Sequence, residues 1–262
     1  MLFLYKRLVA AYIFVAVLCT IGGLIYIGRY PGRYYVYFPV LIAVLIATIA
    51  ILSFIAKKKF KEEVLSHLDN CRTGIFLEEL TKVMGKKRGK RESSFYASLC
   101  ATGYDVLGDY DSLYASCRNI KLRVHMPVYH RRMFSYYISR NEVDHAKDAL
   151  AALTALAAEE KNPAEKKVIT GFEEECKRAL QVHTGEYNEP INYYSEMLKS
   201  MESKPLVTRV SYAYALGSAL VMNGDLEEAK EPLLFAASRG GDTKYRRQAE
   251  ELLKKIKPSG DK

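Results

Sequence analysis

Two long apolar runs near the start of the sequence constrain the fold most strongly. Residues 8–28 and 34–56 contain 21 and 23 consecutive residues without a charge, and about 20 residues of helix cross the ~30 Å hydrocarbon layer of a membrane. A core helix of a water-soluble protein carries polar residues along one face, and neither run has such a face. We therefore predict two transmembrane helices, and the short connection between them makes them a hairpin.

A cleaved signal peptide is the alternative for the first run. Its apolar region would be unusually long, and residues 24–27, Leu-Ile-Tyr-Ile, offer no small-residue cleavage site. A lipoprotein signal ending at Cys19 would need a small residue before the cysteine, where this chain has Leu18. We therefore interpret the run as a retained span.

Basic residues around the hairpin predict its orientation. Two lie in its loop, Arg29 and Arg33, and six flank its outer ends: Lys6, Arg7, Lys57, Lys58, Lys59 and Lys61. Positively charged flanks stay on the cytoplasmic side, so we expect a multi-pass cell-membrane protein with both termini in the cytoplasm. The two-helix anchor and the lack of more complex targeting signals suggest a bacterial inner membrane.

The composition of the hairpin indicates a membrane anchor rather than a transporter or a channel. Neither run contains Asp, Glu, Lys, Arg or His, the residues that transporters and channels place along their route. The small residues at 22–23, 43 and 47 could let helices pack closely. Aromatic residues around the loop favour the far headgroup layer over a ligand-binding cage; they are Tyr26, Tyr30, Tyr34, Tyr35, Tyr37 and Phe38.

The positive charge of the chain is concentrated next to the membrane. Residues 1–56 carry 4 basic residues and no acid, residues 57–91 carry 11 against 5, and residues 92–262 carry 24 against 25, so that 4 + 6 − 1 gives the net +9. This distribution favours anionic lipid headgroups over nucleic acid, which we do not expect as a partner. The predicted lipid contacts are Lys57, Lys58, Lys59, Lys61, Lys86, Lys87, Arg88, Lys90 and Arg91.

Residues 212–236 read as two amphipathic helices joined by a tight turn. Apolar residues recur at three- and four-residue steps on both sides of the turn: Leu216, Leu220, Val221, Leu226, Ala229, Leu233 and Ala236. Between the stripes, Gly224 can adopt positive φ and Asp225 can cap the second helix. The small residues Gly217 and Ala229 lie where the two helices would have to approach closely.

Similar turns recur upstream at Gly108-Asp109-Tyr110, Asn141-Glu142-Val143 and Gly185-Glu186-Tyr187, with a fainter one at Gly74. The steps from residue 74 are 34, 33, 44 and 39 residues. Apolar stripes flank each turn; the stripe before Gly185 contains Val168, Phe172, Cys176 and Leu180. A bundle of unrelated amphipathic helices is the alternative, but it would rarely repeat one turn at such spacing.

The stretch 212–236 resembles a repeat of the tetratricopeptide (TPR) family. The family pattern is matched at Leu216, Gly217, Ala229 and Ala236, whereas Leu220 and Leu233 replace its two aromatics and Ala213 its leading Trp. The resemblance implies a TPR-like α-solenoid of helix-turn-helix repeats and a role in holding a partner. Together with the predicted transmembrane helical hairpin that precedes it, this gives an all-α fold.

We predict four segments. A transmembrane hairpin occupies residues 1–56, with spans 8–28 and 34–56, and a basic juxtamembrane helical linker follows at 57–91. The TPR-like helical repeat domain covers 92–257, and residues 258–262 form a disordered tail.

The first helices of stacked pairs build a concave wall on which a peptide or partner helix can lie. The turn alignment places six residues on this wall: Ser98, Thr102, Arg131, Ser135, Tyr214 and Ser218. Arg131 and Tyr214 would be the anchors, because Arg and Tyr are favoured binding hot spots. The alternative is that each is an ordinary surface residue.

No motif for catalysis, metal or cofactor emerges from the sequence. The five histidines are scattered, the five cysteines form no CxxC pair, and three residues rather than four separate the glycines of 85–91, which excludes a nucleotide loop. We expect a non-catalytic, membrane-anchored scaffold or adaptor whose cytosolic domain binds a protein or peptide. The alternative is a small membrane subunit of a secretion, transport or envelope-assembly complex that docks through its hairpin.

Overall fold

The computed structural model describes residues 6–30, 32, 34–84 and 89–256. Every regular element in these residues is helical, which confirms the all-α prediction. The described residues divide into two compact units, one formed by those up to residue 66 together with 82–84 and the other by residues 67–81 together with 89–256.

The first unit contains the apolar hairpin, formed by α1 (Lys6–Arg29) and α2 (Tyr34–Phe60). Both helices are long and apolar enough to cross a membrane, and only 6% of the most apolar window of the first and 0% of that of the second is buried. The ring of Tyr37 fills the space that a Cβ would take at Gly23, and its hydroxyl donates a hydrogen bond to the Cys19 carbonyl. Gly23 therefore provides the close helix contact predicted for the small residues of this run.

A single π-helical turn, Lys61–Leu65, and the short α3 (Ser66–Asp69) follow α2. The remaining helices are α4 (Thr73–Met84), α5 (Lys90–Leu107), α6 (Tyr110–Cys117), α7 (Met126–Ser139), α8 (Val143–Glu159), α9 (Pro163–Thr184), α10 (Asn188–Lys199), α11 (Leu206–Asn223), α12 (Leu226–Arg239) and α13 (Lys244–Ile256). Four consecutive pairs pack together, α5 with α6, α7 with α8, α9 with α10 and α11 with α12.

The four main predicted turns are confirmed. A residue one or two positions after the first helix of each pair has a positive φ: Gly108 (77°), Asn141 (61°), Gly185 (92°) and Gly224 (94°). The fainter turn lies elsewhere, because Gly74 is already inside α4 and Cys71, with φ of 59°, is the turn residue.

The fourth pair, α11 and α12, packs as its small residues predict. A Cβ at Gly217 would lie 2.6 Å from Cγ of Leu233, so only glycine permits this approach. Ala229, Leu233 and Ala236 are fully buried beneath α11. In the third pair the corresponding position, seven residues before the turn glycine, is Arg178, which forms an ion pair with Glu189 of α10.

The first helices of the pairs enclose a common interior. α5, α7, α9, α11 and α13 contact one another in this order, and α13 returns to contact α5. There Lys244 Nζ lies 2.7 Å from Asp105, and Arg247 donates a hydrogen bond to the Leu107 carbonyl. Repeats of an open solenoid contact only their neighbours, so the return of α13 to α5 departs from that arrangement.

The turn before α13 also holds the start of α4. The Asp242 carboxylate accepts hydrogen bonds from the amides of Thr73 and Gly74, each at 2.7 Å, and its own amide donates to the Cys71 carbonyl at 3.1 Å. Residues 67–81, which we predicted as part of a linker, therefore belong to the same compact unit as the helix pairs. The predicted tail, 258–262, lies outside the described residues.

Replacing Asp242 with Ala is expected to destabilise this unit by about 1–2 kcal/mol, because two amides at the start of α4 lose their acceptor. Asp225 is a matched control, since it stands at the N-cap of α12 without accepting a hydrogen bond from that helix. Urea denaturation of the full chain in detergent micelles measures both. Equal losses for Asp242→Ala and Asp225→Ala would contradict the capping role.

Candidate functional site

A cavity of about 470 Å³, lined by both polar and apolar side chains, lies among the first helices of the pairs. The helices α7, α9, α11 and α13 supply most of its wall. The side chains that line it are Tyr110, Arg131, Phe134, Ser135, Ile138, Ser139, Glu175, Cys176, Ala179, Tyr194, Ser211, Tyr212, Tyr214, Ala215, Lys244, Tyr245 and Gln248. The volume is typical of a site for a small ligand or for a single inserted side chain.

A buried carboxylate anchors the charges on one side of this cavity. Asp105 is 1% exposed and forms ion pairs with Arg132 and with Lys244 at 2.7 Å. Burial alone would raise the pKa of Asp105, but the two cations outweigh it and hold that pKa well below its usual value. Asp105 is therefore ionised at neutral pH, and it keeps Lys244 charged at the edge of the cavity.

A second network crosses from α7 to α9 and α11. Arg131 forms an ion pair with Glu175, and the Tyr212 hydroxyl donates to the same carboxylate at 2.7 Å. Burial and the neighbouring Glu175 raise the pKa of Tyr212, which therefore stays protonated and acts as a donor. The guanidinium of Arg131 also lies 4.5 Å from the centre of the Phe172 ring.

Several polar side chains of the cavity are available to hydrogen-bond with a ligand. Among the described residues, the side chains of Ser135, Tyr245 and Gln248 have no hydrogen-bond partner, although all three line the cavity. The hydroxyls can donate and the amide can donate or accept. The cavity thus combines fixed charges with free hydrogen-bonding groups.

Of the six residues predicted to line the concave wall, three line the cavity. Arg131, Ser135 and Tyr214 line the cavity, whereas Ser218, one turn further along α11 than Tyr214, does not. The remaining two residues do not line it. Ser98 is 5% exposed and its hydroxyl donates to the Phe95 carbonyl, and Thr102 is half-buried with its hydroxyl donating to the Ser98 carbonyl.

A second hollow is an apolar groove of about 600 Å³ between the start of α7, the end of α8 and the start of α9. It is lined by Arg123, Val124, Pro127, Val128, Leu156, Glu159, Glu160, Ala164, Glu165, Val168, Ile169 and Phe172. Val124 and Val168 are 64% and 54% exposed. Exposed apolar side chains gathered in a concave surface are typical of protein-binding sites.

The rim of the apolar groove is acidic. Arg123 is the cation among the lining residues, and it is engaged at 2.8 Å by Glu159. Among the described residues that line the groove, no cation forms an ion pair with Glu160 or Glu165. The neighbouring Lys161, Lys166 and Lys167 are exposed but do not line the groove.

The predicted lipid-contacting residues that the structure describes are exposed. Lys57, Lys58, Lys59 and Lys61 stand at the end of α2, where Lys58 and Lys59 lie 3.9 and 3.4 Å from Glu62 and Glu63, and Lys90 and Arg91 begin α5. Lys86, Lys87 and Arg88 lie outside the described residues. Surface ion pairs of this kind contribute little to stability, so these lysines can still meet a headgroup.

The sequence patterns did not predict a functional role for Asp105, Lys244 or the apolar groove. Asp105 and Lys244 are 139 residues apart, and nothing in either local pattern marks them as partners. For the groove, a signal was present in Val168 followed by Ile169, because two adjacent apolar residues on a helix cannot both face its core.

The described residues contain no group of three His, Cys, Asp or Glu side chains placed to hold a metal ion. Burial raises the pKa of the Cys117 and Cys176 thiols to about 12, so neither is a thiolate at neutral pH. The chain matches no family model, no curated protein and no solved structure.

Proposed function

We propose that the chain is a membrane-anchored, non-catalytic adaptor whose TPR-like helical domain faces the cytoplasm and binds a protein partner. The apolar hairpin supports the anchor, since its two helices have the length and composition of membrane spans. The repeated helix pairs support the binding role, because stacked pairs present surfaces rather than reactive groups. The basic residues next to α2 support contact with anionic lipid and a cytoplasmic domain.

The exposed apolar groove is the single observation that carries the binding role. Val124 and Val168 leave more than half of their surface in solvent, which costs free energy unless another apolar surface covers them. The acidic rim at Glu160 and Glu165 favours a partner surface that carries positive charge. The partner is therefore a protein segment with apolar side chains flanked by Lys or Arg.

Site-specific photocrosslinking in the membrane of a living cell tests this proposal. A photoreactive residue at position 168 is expected to give one discrete adduct, whose crosslinked segment is apolar and flanked by basic residues. Position 234 on α12 is a matched control, because Leu234 is 57% exposed and lies outside the groove. Reversal of the rim charges by Glu160→Lys and Glu165→Lys should lower the adduct yield by about fivefold to tenfold.

Two outcomes would contradict the proposal. Equal, diffuse labelling from positions 168 and 234 would mean that the groove has no specific partner. Discrete adducts from Ile46 of α2, which is 62% exposed, together with none from position 168, would instead place the docking surface on the hairpin.

A further inference from the structure

The cavity among the first helices carries an excess of positive charge. The charged side chains that line it are Arg131, Lys244 and Glu175, two cations against one carboxylate. Next to them, the Asp105 carboxylate is shared by Arg132 and Lys244. The cluster of five charges therefore has a net charge of +1, although the side chains of Lys244, Asp105 and Arg132 are only 12%, 2% and 9% exposed.

Three cations share two carboxylates here, and such an excess of positive charge in a largely buried site favours the entry of an anion. The free hydroxyls of Ser135 and Tyr245 line the same cavity, and both can donate to an oxyanion. Phe134, Ile138 and Ala179 add apolar surface to the same cavity. Cationic and donor groups beside apolar walls match a molecule that carries an anionic group on an apolar body.

We propose that this cavity binds a small organic anion, a carboxylate or phosphate on an apolar body. Its volume of about 470 Å³ and the contact of α13 with α5 leave room for such a molecule but not for an extended peptide laid across the first helices. The anionic group sits between Arg131, Lys244 and the Tyr245 hydroxyl. This site is separate from the apolar groove and does not require a protein partner.

Calorimetric titration of the full chain in lipid nanodiscs tests the proposal with phenylacetate and its neutral isostere phenylacetamide, and with phenyl phosphate. One site per chain is expected for phenylacetate or phenyl phosphate and none for the amide. Tyr245→Phe, which removes one donor without changing charge, should weaken anion binding about threefold to tenfold. Glu175→Gln, which removes a competing carboxylate, should tighten it by a similar factor.

The direction of the Glu175→Gln effect separates anion binding from a structural role, because a variant that merely loosened the fold would bind more weakly. Equal binding of phenylacetate and phenylacetamide would overturn the proposal, and so would the absence of binding by both anions. Phenylacetate added to the crosslinking reaction identifies the source of the anion. An unchanged adduct at position 168 is expected for a free molecule, whereas loss of the adduct would assign the acidic group to the protein partner and overturn the proposal.

Discussion

Replacing Asp105 with Asn is expected to destabilise the helical domain by about 3–5 kcal/mol, because Arg132 and Lys244 would remain buried without their carboxylate. For a chain of this size the loss corresponds to a fall in Tm of about 6–20 °C. Thermal denaturation of the full chain in detergent micelles measures it. Asp111→Asn is the matched control: its pair with Arg140 has a carboxylate 92% exposed, so a change of at most about 1 kcal/mol is expected.

The same carboxylate gives the domain a defined response to acid. The pKa of Asp105 is lower in the folded chain than its ordinary value, so its ionisation stabilises the fold above the unfolded pKa of about 4. That contribution is lost progressively as the pH falls below this value. Asp105→Asn should therefore lose less stability between pH 5 and 2 than the parent chain, and parallel acid profiles would contradict the assignment.

Replacing Gly217 with Leu is the second change with a large expected effect, a loss of about 3 kcal/mol. A Cβ at this position already lies 2.6 and 2.7 Å from Cγ and Cδ2 of Leu233, and Leu233 is fully buried, so α11 and α12 must move apart. Gly171→Leu is the control, because a Cβ at Gly171 meets nothing within 4 Å. There a better helix former should stabilise α9 by up to about 1 kcal/mol, and opposite signs for the two variants are the expected result of urea titrations.

The parts of the fold that depend on local chemistry could be predicted from the sequence. Gly108, Gly185 and Gly224 mark turns because a positive φ favours glycine, and Asn141 marks one because asparagine tolerates the same region. The apolar hairpin follows from composition alone. Gly217 and Ala229 likewise indicate a close helix contact, since larger side chains would separate the backbones.

The parts that depend on distant contacts could not be predicted. Val168 fits the apolar stripe before Gly185, yet it is 54% exposed and Ile169 takes the buried position, because tertiary packing sets the rotation of α9. The Gly74 turn was misplaced for a similar reason. Its position is set by Asp242, a residue 169 positions beyond Thr73.

The return of α13 to α5 changes what the predicted wall can hold. A row of paired helices would present Arg131, Ser135 and Tyr214 along an open groove. The ion pair of Lys244 with Asp105 instead brings the two ends of the row together, and the same residues face a cavity. Three of the six predicted wall residues, on α7 and α11, face this cavity, and its shape depends on a contact that no local pattern indicates.

The orientation of the chain in the membrane is tested most directly by labelling single cysteines with a membrane-impermeant maleimide. The native Cys71, Cys100, Cys117 and Cys176 are buried and give little background, and the partly exposed Cys19 is replaced with Ser. We expect Tyr30→Cys, beside the hairpin loop, to be labelled in intact bacterial spheroplasts, and Glu227→Cys on α12 to be labelled only after lysis. Labelling of Glu227→Cys in intact spheroplasts, or release of the chain from membranes by alkaline carbonate, would contradict a cytoplasmic helical domain tethered by a spanning hairpin.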